Sequence, residues 1–338
     1  MKRFYEGLKR WRSPLLLVAI SLFTFAEAAA FNLETGISCG YDDNLLLTKG
    51  GPGAFFNQAE IDFRWNRSLS GATTLTLSAF ADYCDYHGED DRYQLGLGLE
   101  SASRLQALPL SLEFFSLVNN RRNPLIPDND FDALNLGGRL VWPFDLRLDL
   151  IFACELSWEK YCADYVTDGF HRKLSLGSGP TANQTRQARG DLSPGRGEPG
   201  SSRHNNGERS DRLTTIRFES AYAVNPYLEL GGGIFYQQRH SSIDLESRTT
   251  SGLNLSLDRR ITPTLSLNAA GGGERSSYKY DYQQKERREK NYFFTLGAAW
   301  RQGPWTISGS WSRLQRNSDL EEDNFRANQW QGRLSYSF

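Results

Sequence analysis

Four histidines are the residues of this 338-residue chain whose chemistry could support catalysis. His87, His171, His204 and His240 all fall in predicted connections or at the tips of predicted strands. None has a serine or cysteine and an acid in a recognisable nucleophilic arrangement, and the dipeptide His240-Ser241 lacks the surrounding motif of a hydrolase dyad. No haem-attachment, zinc or phosphate-loop motif occurs. The sequence therefore predicts a protein that is not an enzyme and holds no cofactor or metal.

Two acidic runs could in principle bind a divalent cation, because carboxylate oxygens at this density suit Ca²⁺. Their members are Asp128, Asp130, Asp132, Asp319, Glu321, Glu322 and Asp323. Neither run has the glycine and distal glutamate of a calcium loop, so we expect solvated charge.

Four cysteines leave the disulfide question open. Cys154 and Cys162 fall on one predicted strand, about 26 Å apart at the rise of a strand, and cannot pair with each other. A disulfide among Cys39, Cys84 and Cys162 is compatible with their predicted positions near one rim, but the spacing does not select a pair.

The chain elements that position the residues named above are predicted to be β-strands. Their alternating pattern is clearest in the last eleven residues, 328–338. Trp330, Gly332, Leu334, Tyr336 and Phe338 alternate with residues that are all polar. The length matches the roughly 9–11 residues that a tilted strand needs to cross a bilayer. This segment therefore predicts a membrane-spanning strand.

The same period of two recurs along the chain and predicts fourteen strands. They cover 31–43, 55–68, 72–86, 91–102, 109–120, 130–142, 145–162, 212–224, 227–240, 246–259, 263–279, 290–301, 304–316 and 325–338. Connections from even to odd strands are short, and those from odd to even strands are longer. This asymmetry and the even number predict an all-β fold, a transmembrane antiparallel up-and-down β-barrel of about fourteen strands with both mature ends in the periplasm.

Aromatic residues fall near both ends of the predicted strands, where Trp and Tyr rings settle at the headgroup level. At the periplasmic ends are Trp65, Trp142, Trp300, Trp305 and Tyr336. At the outer ends are Tyr41, Tyr83, Tyr93, Trp158, Tyr236, Tyr292, Trp311 and Trp330. A soluble β-sandwich does not explain this number of outward aromatic and leucine positions.

The amino terminus has the pattern of a cleaved signal peptide over 1–28: a basic segment, an apolar run over 15–25 and small residues at 26 and 28. Its removal takes away five basic and two acidic residues and leaves 34 basic and 38 acidic ones. This balance gives no basis for a nucleic-acid partner. The mean hydropathy of −0.55 suits a barrel over 29–338, since half of its strand residues face a wet lumen.

One insertion, 163–211, interrupts the strand pattern. It is rich in Gly, Ser, Pro, Arg and Asn and poor in apolar residues, so we expect a long, disordered extracellular loop. Its arginines could alternatively fold inward over the pore.

The polar parity of the strands predicts which side chains line the lumen. The pore-lining candidates are Glu60, Asp62, Arg64, Asp82, Glu100, Glu113, Arg139, Arg147, Asp149, Glu155, Arg217, Glu219, Glu229 and Arg333. With Glu34, Glu159, Asp258 and Glu274 included, the parity gives thirteen acids and five bases. Such a lumen either enriches cations or pairs its charges across strands. Fourteen strands give a backbone diameter of roughly 28 Å and an open width of about 10–15 Å.

Two segments resemble known proteins. The aromatic carboxy-terminal strand resembles the closing strand of Gram-negative outer-membrane barrels, which implies that Trp330, Tyr336 and Phe338 act as a signal to the barrel-assembly machinery. The residues Gly40 to Asn44 (GYDDN) are similar to a first-strand segment in a group of porin-like barrels near exopolysaccharide systems. The resemblance implies a location in the cell outer membrane, among its lipids and lipopolysaccharide, and carries over no other functional residue.

Two functions fit these observations. The first is a porin-like channel for small hydrophilic solutes or ions that favours cations. The alternative is an outer-membrane component of a polysaccharide or protein export or assembly system, with periplasmic or export partners.

Overall fold

Fourteen β-strands form the wall of the protein. The structure, a computed structural model, describes residues 30–44, 51–87, 91–105, 108–122, 130–161, 209–243, 246–279, 287–320 and 323–338. The predicted signal peptide, Cys162 and nearly all of the predicted long loop lie outside these residues. The strands are β1 (Ala30–Asp42), β2 (Ala54–Ser68), β3 (Thr73–Tyr86), β4 (Arg92–Leu105), β5 (Leu110–Arg122), β6 (Phe131–Pro143), β7 (Leu148–Tyr161), β8 (Ser210–Asn225), β9 (Leu228–Ser241), β10 (Arg248–Arg260), β11 (Leu265–Tyr278), β12 (Arg287–Gln302), β13 (Trp305–Ser318) and β14 (Phe325–Ser337).

The strands close into one antiparallel barrel. Each strand pairs with its neighbours in sequence, and β14 pairs with β1 from Glu34↔Ser337 to Asp42↔Gln329. The predicted strand number, the up-and-down order and the closure are therefore confirmed. The observed bounds differ from the predicted ones by at most three residues. None of the described residues forms a helix long and apolar enough to cross a membrane.

The two ends of the barrel have connections of different length. Connections from even to odd strands have two to four residues, and those from odd to even strands have five to forty-eight, as predicted. We call the two ends the short-turn end and the long-connection end. In the two-residue turn between β12 and β13, Gly303 has a φ of +58°, a left-handed conformation that glycine adopts without strain.

The outward face is apolar because the alternating side chains of every strand place one parity there. Ile37, Phe114, Ile234 and Leu255 are each more than 60% exposed. All thirteen aromatic residues predicted for the two girdles lie on this face. Such a surface is stable in hydrocarbon, where each large apolar side chain gains about 1.5–3 kcal/mol relative to exposure in water.

Five lumen-facing phenylalanines lie flat against the wall because each covers a glycine on the next strand. The pairs are Phe56–Gly40, Phe80–Gly96, Phe115–Gly137, Phe235–Gly252 and Phe293–Gly272. A Cβ added at Gly272 would lie 2.7 Å from Cζ of Phe293, and one at Gly252 would lie 2.5 Å from Cε1 of Phe235. At these positions the missing glycine side chain leaves room for the ring of the neighbouring strand.

Candidate functional site

The lumen face is identified by side chains that reach across an intervening strand. The Arg333 guanidinium on β14 lies 2.8 Å from a Glu60 carboxylate oxygen on β2, although β1 lies between them. Arg239 on β9 similarly lies 3.6 Å from Glu159 on β7, across β8. Only the concave side of a barrel wall brings such side chains together. This side is the candidate functional surface.

The register places thirteen of the fourteen pore-lining candidates on the lumen face. They are Glu60, Asp62, Arg64, Asp82, Glu100, Glu113, Arg139, Asp149, Glu155, Arg217, Glu219, Glu229 and Arg333. Their role in conduction stays a prediction. Arg147 precedes β7, which begins at Leu148, so the strand register does not assign it to a face. The Asp145 carboxylate accepts hydrogen bonds from the backbone amides of Arg147 and Leu148 at 2.6 and 2.8 Å, which makes 145–147 a turn.

The lumen face carries more arginines than the sequence pattern indicated. Those missed are Arg92, Arg104, Arg121, Arg239, Arg248, Arg260, Arg287, Arg301 and Arg316. The acids missed are Asp42, Asp211 and Glu289. In the described strands the lumen face therefore holds sixteen acids and thirteen arginines. The excess of acids is three, whereas the sequence pattern predicted thirteen acids and five bases, an excess of eight. Most missed residues lie near strand ends, where the alternation is hardest to assign.

Four carboxylates on β1, β2 and β3 form what we call the acidic patch. Glu34 is opposite Asp62, and Glu60 is opposite Asp82. Arg333 is the cation that contacts this group, 3.2 Å from Glu34 and 2.8 Å from Glu60. Gln58 donates a hydrogen bond to Asp82. The patch keeps a net negative charge, and Glu34 remains 38% exposed to the lumen.

On the opposite part of the wall, a recess of about 290 Å³ contains both signs of charge. Its lining is Phe115, Arg139, Ala153, Glu155, Thr215, Arg217 and Glu219. Arg139 lies 3.5 Å from Glu113 and Arg217 lies 3.6 Å from Glu155, and these arginine side chains are 43% and 45% exposed. The small side chain of Ala153 separates the two arginines in the register. We call this the mixed recess; its exposed groups can hydrogen-bond a polar solute.

At the long-connection end, aromatic rings and guanidinium groups alternate around the lumen face. Arg209 lies 4.1 Å from the centre of the Tyr161 ring, and Arg287 lies 4.4 Å from the centre of the Tyr278 ring. The members of this aromatic–arginine belt are Phe56, Tyr86, Arg92, Phe131, Tyr161, Arg209, Arg248, Tyr278, Arg287, Arg316 and Phe325. The rings of Tyr161 and Tyr278 are almost fully buried, so side chains pack closely on the lumen face at this end. At the mixed recess the lumen-facing side chains are half-exposed.

Two buried ion clusters tie the connections to the barrel at this end. In the first, Arg209 binds Asp211 at 2.6 Å and lies 3.7 Å from Glu246 in the connection between β9 and β10. In the second, Arg287 binds Glu289 and lies 2.5 Å from Asp323 in the connection between β13 and β14. Buried charges that lose a partner are costly, so each cluster fixes its connection in place.

The remaining residues singled out for chemistry are separated or already paired. His240 points outward and Ser241 points into the lumen, so they cannot form a dyad. Asp130 and Asp132 lie 3.7 and 2.8 Å from the Arg122 guanidinium. Asp128, Glu321 and Glu322 lie outside the described residues.

The three cysteines that the structure describes are free thiols. Cys39 and Cys154 are exposed on the outward face, and Cys84 is buried on the lumen face.

The residues of the predicted assembly signal all lie on the outward face of β14. The Tyr336 ring packs edge-on against Trp305 and Phe338, with centroid distances of 4.7 and 4.5 Å. The Phe338 amide donates a hydrogen bond to the Leu33 carbonyl at 2.9 Å, and its side chain is 67% exposed. Their action as a signal stays a prediction.

Comparison with solved structures gives the fold class of the chain. The barrel is similar to an anion-selective porin from Comamonas acidovorans, with a TM-score of 0.50, 7% identity, and coverage of 92% of this chain and 99% of that one. A Pseudomonas aeruginosa FadL homologue matches with a TM-score of 0.46 and 14% identity over 93% of this chain and 90% of that one. No family model matches the sequence, and no curated protein matches it.

The chain therefore has the closed β-barrel fold of outer-membrane porins. Particular to this barrel are fourteen strands, a lumen face with sixteen acids and thirteen arginines in the described strands, and the aromatic–arginine belt at one end.

Proposed function

We propose that this protein is an outer-membrane channel of Gram-negative bacteria that passes small hydrophilic solutes and favours cations. The observation that carries the proposal is a charged lumen face, half-exposed at the mixed recess, inside a wall whose outer surface is apolar. A solute inside the barrel meets carboxylates, guanidinium groups and hydroxyls in place of water, whereas the wall excludes it from the lipid.

The orientation follows from the connections. Outer-membrane barrels have short periplasmic turns and longer extracellular loops. With this rule the long-connection end faces the cell exterior, and the aromatic–arginine belt is the entrance. A lumen of about 10–15 Å admits ions and small sugars, and the belt narrows it further.

The charge distribution supports a cation preference because the acids and arginines are unequally divided along the lumen. The belt region concentrates arginines, but there Arg239 and Arg287 form ion pairs with Glu159 and Asp323. Deeper in the barrel the acidic patch has four carboxylates around Arg333. A negative region between walls of low dielectric constant concentrates cations.

The test is conductance and ion selectivity in planar bilayers. Purified protein should form channels whose reversal potential in a salt gradient indicates cation preference. The double variant Glu60→Gln/Asp82→Asn removes two of the three net negative charges of the described lumen face, so the preference should fall by more than half. Salt should weaken the preference in the native protein, since the Debye length falls from ~10 Å at 0.1 M to ~3 Å at 1 M.

The matched control changes two carboxylates outside the lumen. Asp145→Asn/Asp319→Asn alters the same number of charges in exposed connections and keeps the side-chain oxygens that accept backbone hydrogen bonds. This variant should keep the native selectivity. Equal effects of the two double variants would contradict the role of the acidic patch. Folded protein that never conducts would contradict the channel and would favour a component of an export or assembly system.

A further inference from the structure

Basic residues occupy one half of the outward face at the long-connection end. Arg212, Arg275, Lys290, Arg313 and Arg326, which we call the cationic face, lie on β8, β11, β12, β13 and β14. All five are exposed and lie within six residues of the end of their strand. None of them forms an ion pair with another described residue.

Neighbouring cations on this face lie close enough to repel each other when no anion is bound between them. Arg275 and Lys290 are directly opposite each other on paired strands. Arg313 is opposite Asn328, which makes Arg326 its diagonal neighbour. Like charges directly opposite on one face of a sheet destabilise the pairing. A negative group between them would reverse the sign of this interaction.

The rest of the outward face differs. On strands β7 to β14, no acid occupies an outward position among the described residues. On strands β1 to β6, the outward positions at the same end carry Asp85 and Asp132, and the cation there, Arg122, already contacts Asp132 at 2.8 Å. The positive potential is therefore confined to one side of the barrel.

Aromatic rings fix the depth of the cationic face in a membrane. Tyr292 is the next outward residue after Lys290 towards the middle of the barrel, and Trp311 is the next after Arg313. Such rings settle at the headgroup level, with the hydrocarbon below them. The cations are thus at the height of lipid phosphates and above an apolar wall that contacts acyl chains.

We propose that the cationic face binds the phosphate groups of lipids in the leaflet that meets the long-connection end. Arg275 with Lys290 and Arg313 with Arg326 each hold one phosphate, and the aromatic and aliphatic residues beneath hold the acyl chains. Free phosphate lacks those chains and binds far more weakly.

The experiment measures binding of bis-phosphorylated lipid A to the purified full chain in a neutral detergent by native mass spectrometry. Phosphate-free lipid A and inorganic phosphate are the comparison ligands. Arg275→Gln/Lys290→Gln should weaken binding about fivefold for each cation removed, or about 25-fold for the pair. Arg275→Lys/Lys290→Arg keeps the charge and should bind like the native protein.

The matched control is Arg67→Gln/Arg259→Gln, which removes two exposed outward arginines at the short-turn end. It should leave binding within about twofold of the native value. The proposal is overturned if the two glutamine double variants weaken binding equally, if phosphate-free lipid binds as tightly, or if inorganic phosphate displaces the lipid. Retained heat-modifiable mobility on gels shows that each variant is folded, so weaker binding by a folded Arg275→Gln/Lys290→Gln barrel supports the proposal.

Discussion

The pair of Phe115 with Gly137 should control both the stability of the wall and the width of the lumen. A Cβ at Gly137 would lie 2.6 Å from Cε1 and 2.9 Å from Cε2 of Phe115, well inside ordinary contact. The three nearest atoms all belong to this ring, so Gly137→Ala displaces the ring and leaves the backbone in place. Because the wall is on one side, the ring can move only into the mixed recess.

The displacement has two measurable consequences. Overpacking of this kind costs about 1–3 kcal/mol, which urea unfolding from detergent or lipid should detect as a lower unfolding free energy. A ring standing off the wall blocks roughly 20 Å² of a lumen whose cross-section is on the order of 100 Å². Single-channel conductance should therefore fall by about a fifth.

The neighbouring glycine is the control. Gly138 lies on the outward face, and a Cβ there would be 3.4 Å or more from its neighbours, so Gly138→Ala should change neither stability nor conductance. Phe115→Leu removes the ring, and the double variant Gly137→Ala/Phe115→Leu should recover most of the lost conductance. The reasoning fails if Gly137→Ala conducts and unfolds like the native protein, or if the double variant conducts as poorly as Gly137→Ala.

Three further predictions concern other parts of the barrel. Asp323→Asn should destabilise the protein by about 1–3 kcal/mol in urea, because the buried Arg287 keeps Glu289 but loses its second carboxylate partner, whereas loss of a half-exposed pair in the mixed recess should cost less than ~1 kcal/mol. Phe338→Ala removes about 2–3 kcal/mol of apolar burial, but outer-membrane yield should fall far more if this residue is the assembly signal; normal yield would refute that role. A water-soluble maleimide should leave the buried Cys84 unlabelled until the barrel unfolds, and labelling of the folded protein at that residue, followed by mass spectrometry, would contradict its burial.

The strands and their faces could be predicted because alternation is a local property. Leu75 and Leu77 face outward and Asp82 faces the lumen whatever the neighbouring strands are. The amphipathic ending of β14 similarly needed no tertiary information. Membrane and lumen impose opposite chemistry on successive residues, so the pattern is strong along most strands.

The site itself depends on information that the alternation does not contain. Arg92 and Arg287 begin their strands, where a shift of a few residues decides whether they belong to the wall. The contact between Arg333 and Glu60 joins strands that are distant in sequence, and only the closure of the barrel brings them together. The turn that leaves Arg147 outside β7 is set by one Asp145 side chain that binds two backbone amides.

The uneven outward charge makes the two sides of the barrel electrostatically different within the membrane plane. Two copies that approach with their cationic faces forward repel each other once they are within about 8 Å, the Debye length at physiological ionic strength. Copies that approach through β1 to β6 meet no such excess of positive charge, because Arg122 on that side contacts Asp132. In a crowded membrane these barrels should therefore take a preferred orientation relative to one another, with the side opposite the cationic face turned towards lateral neighbours.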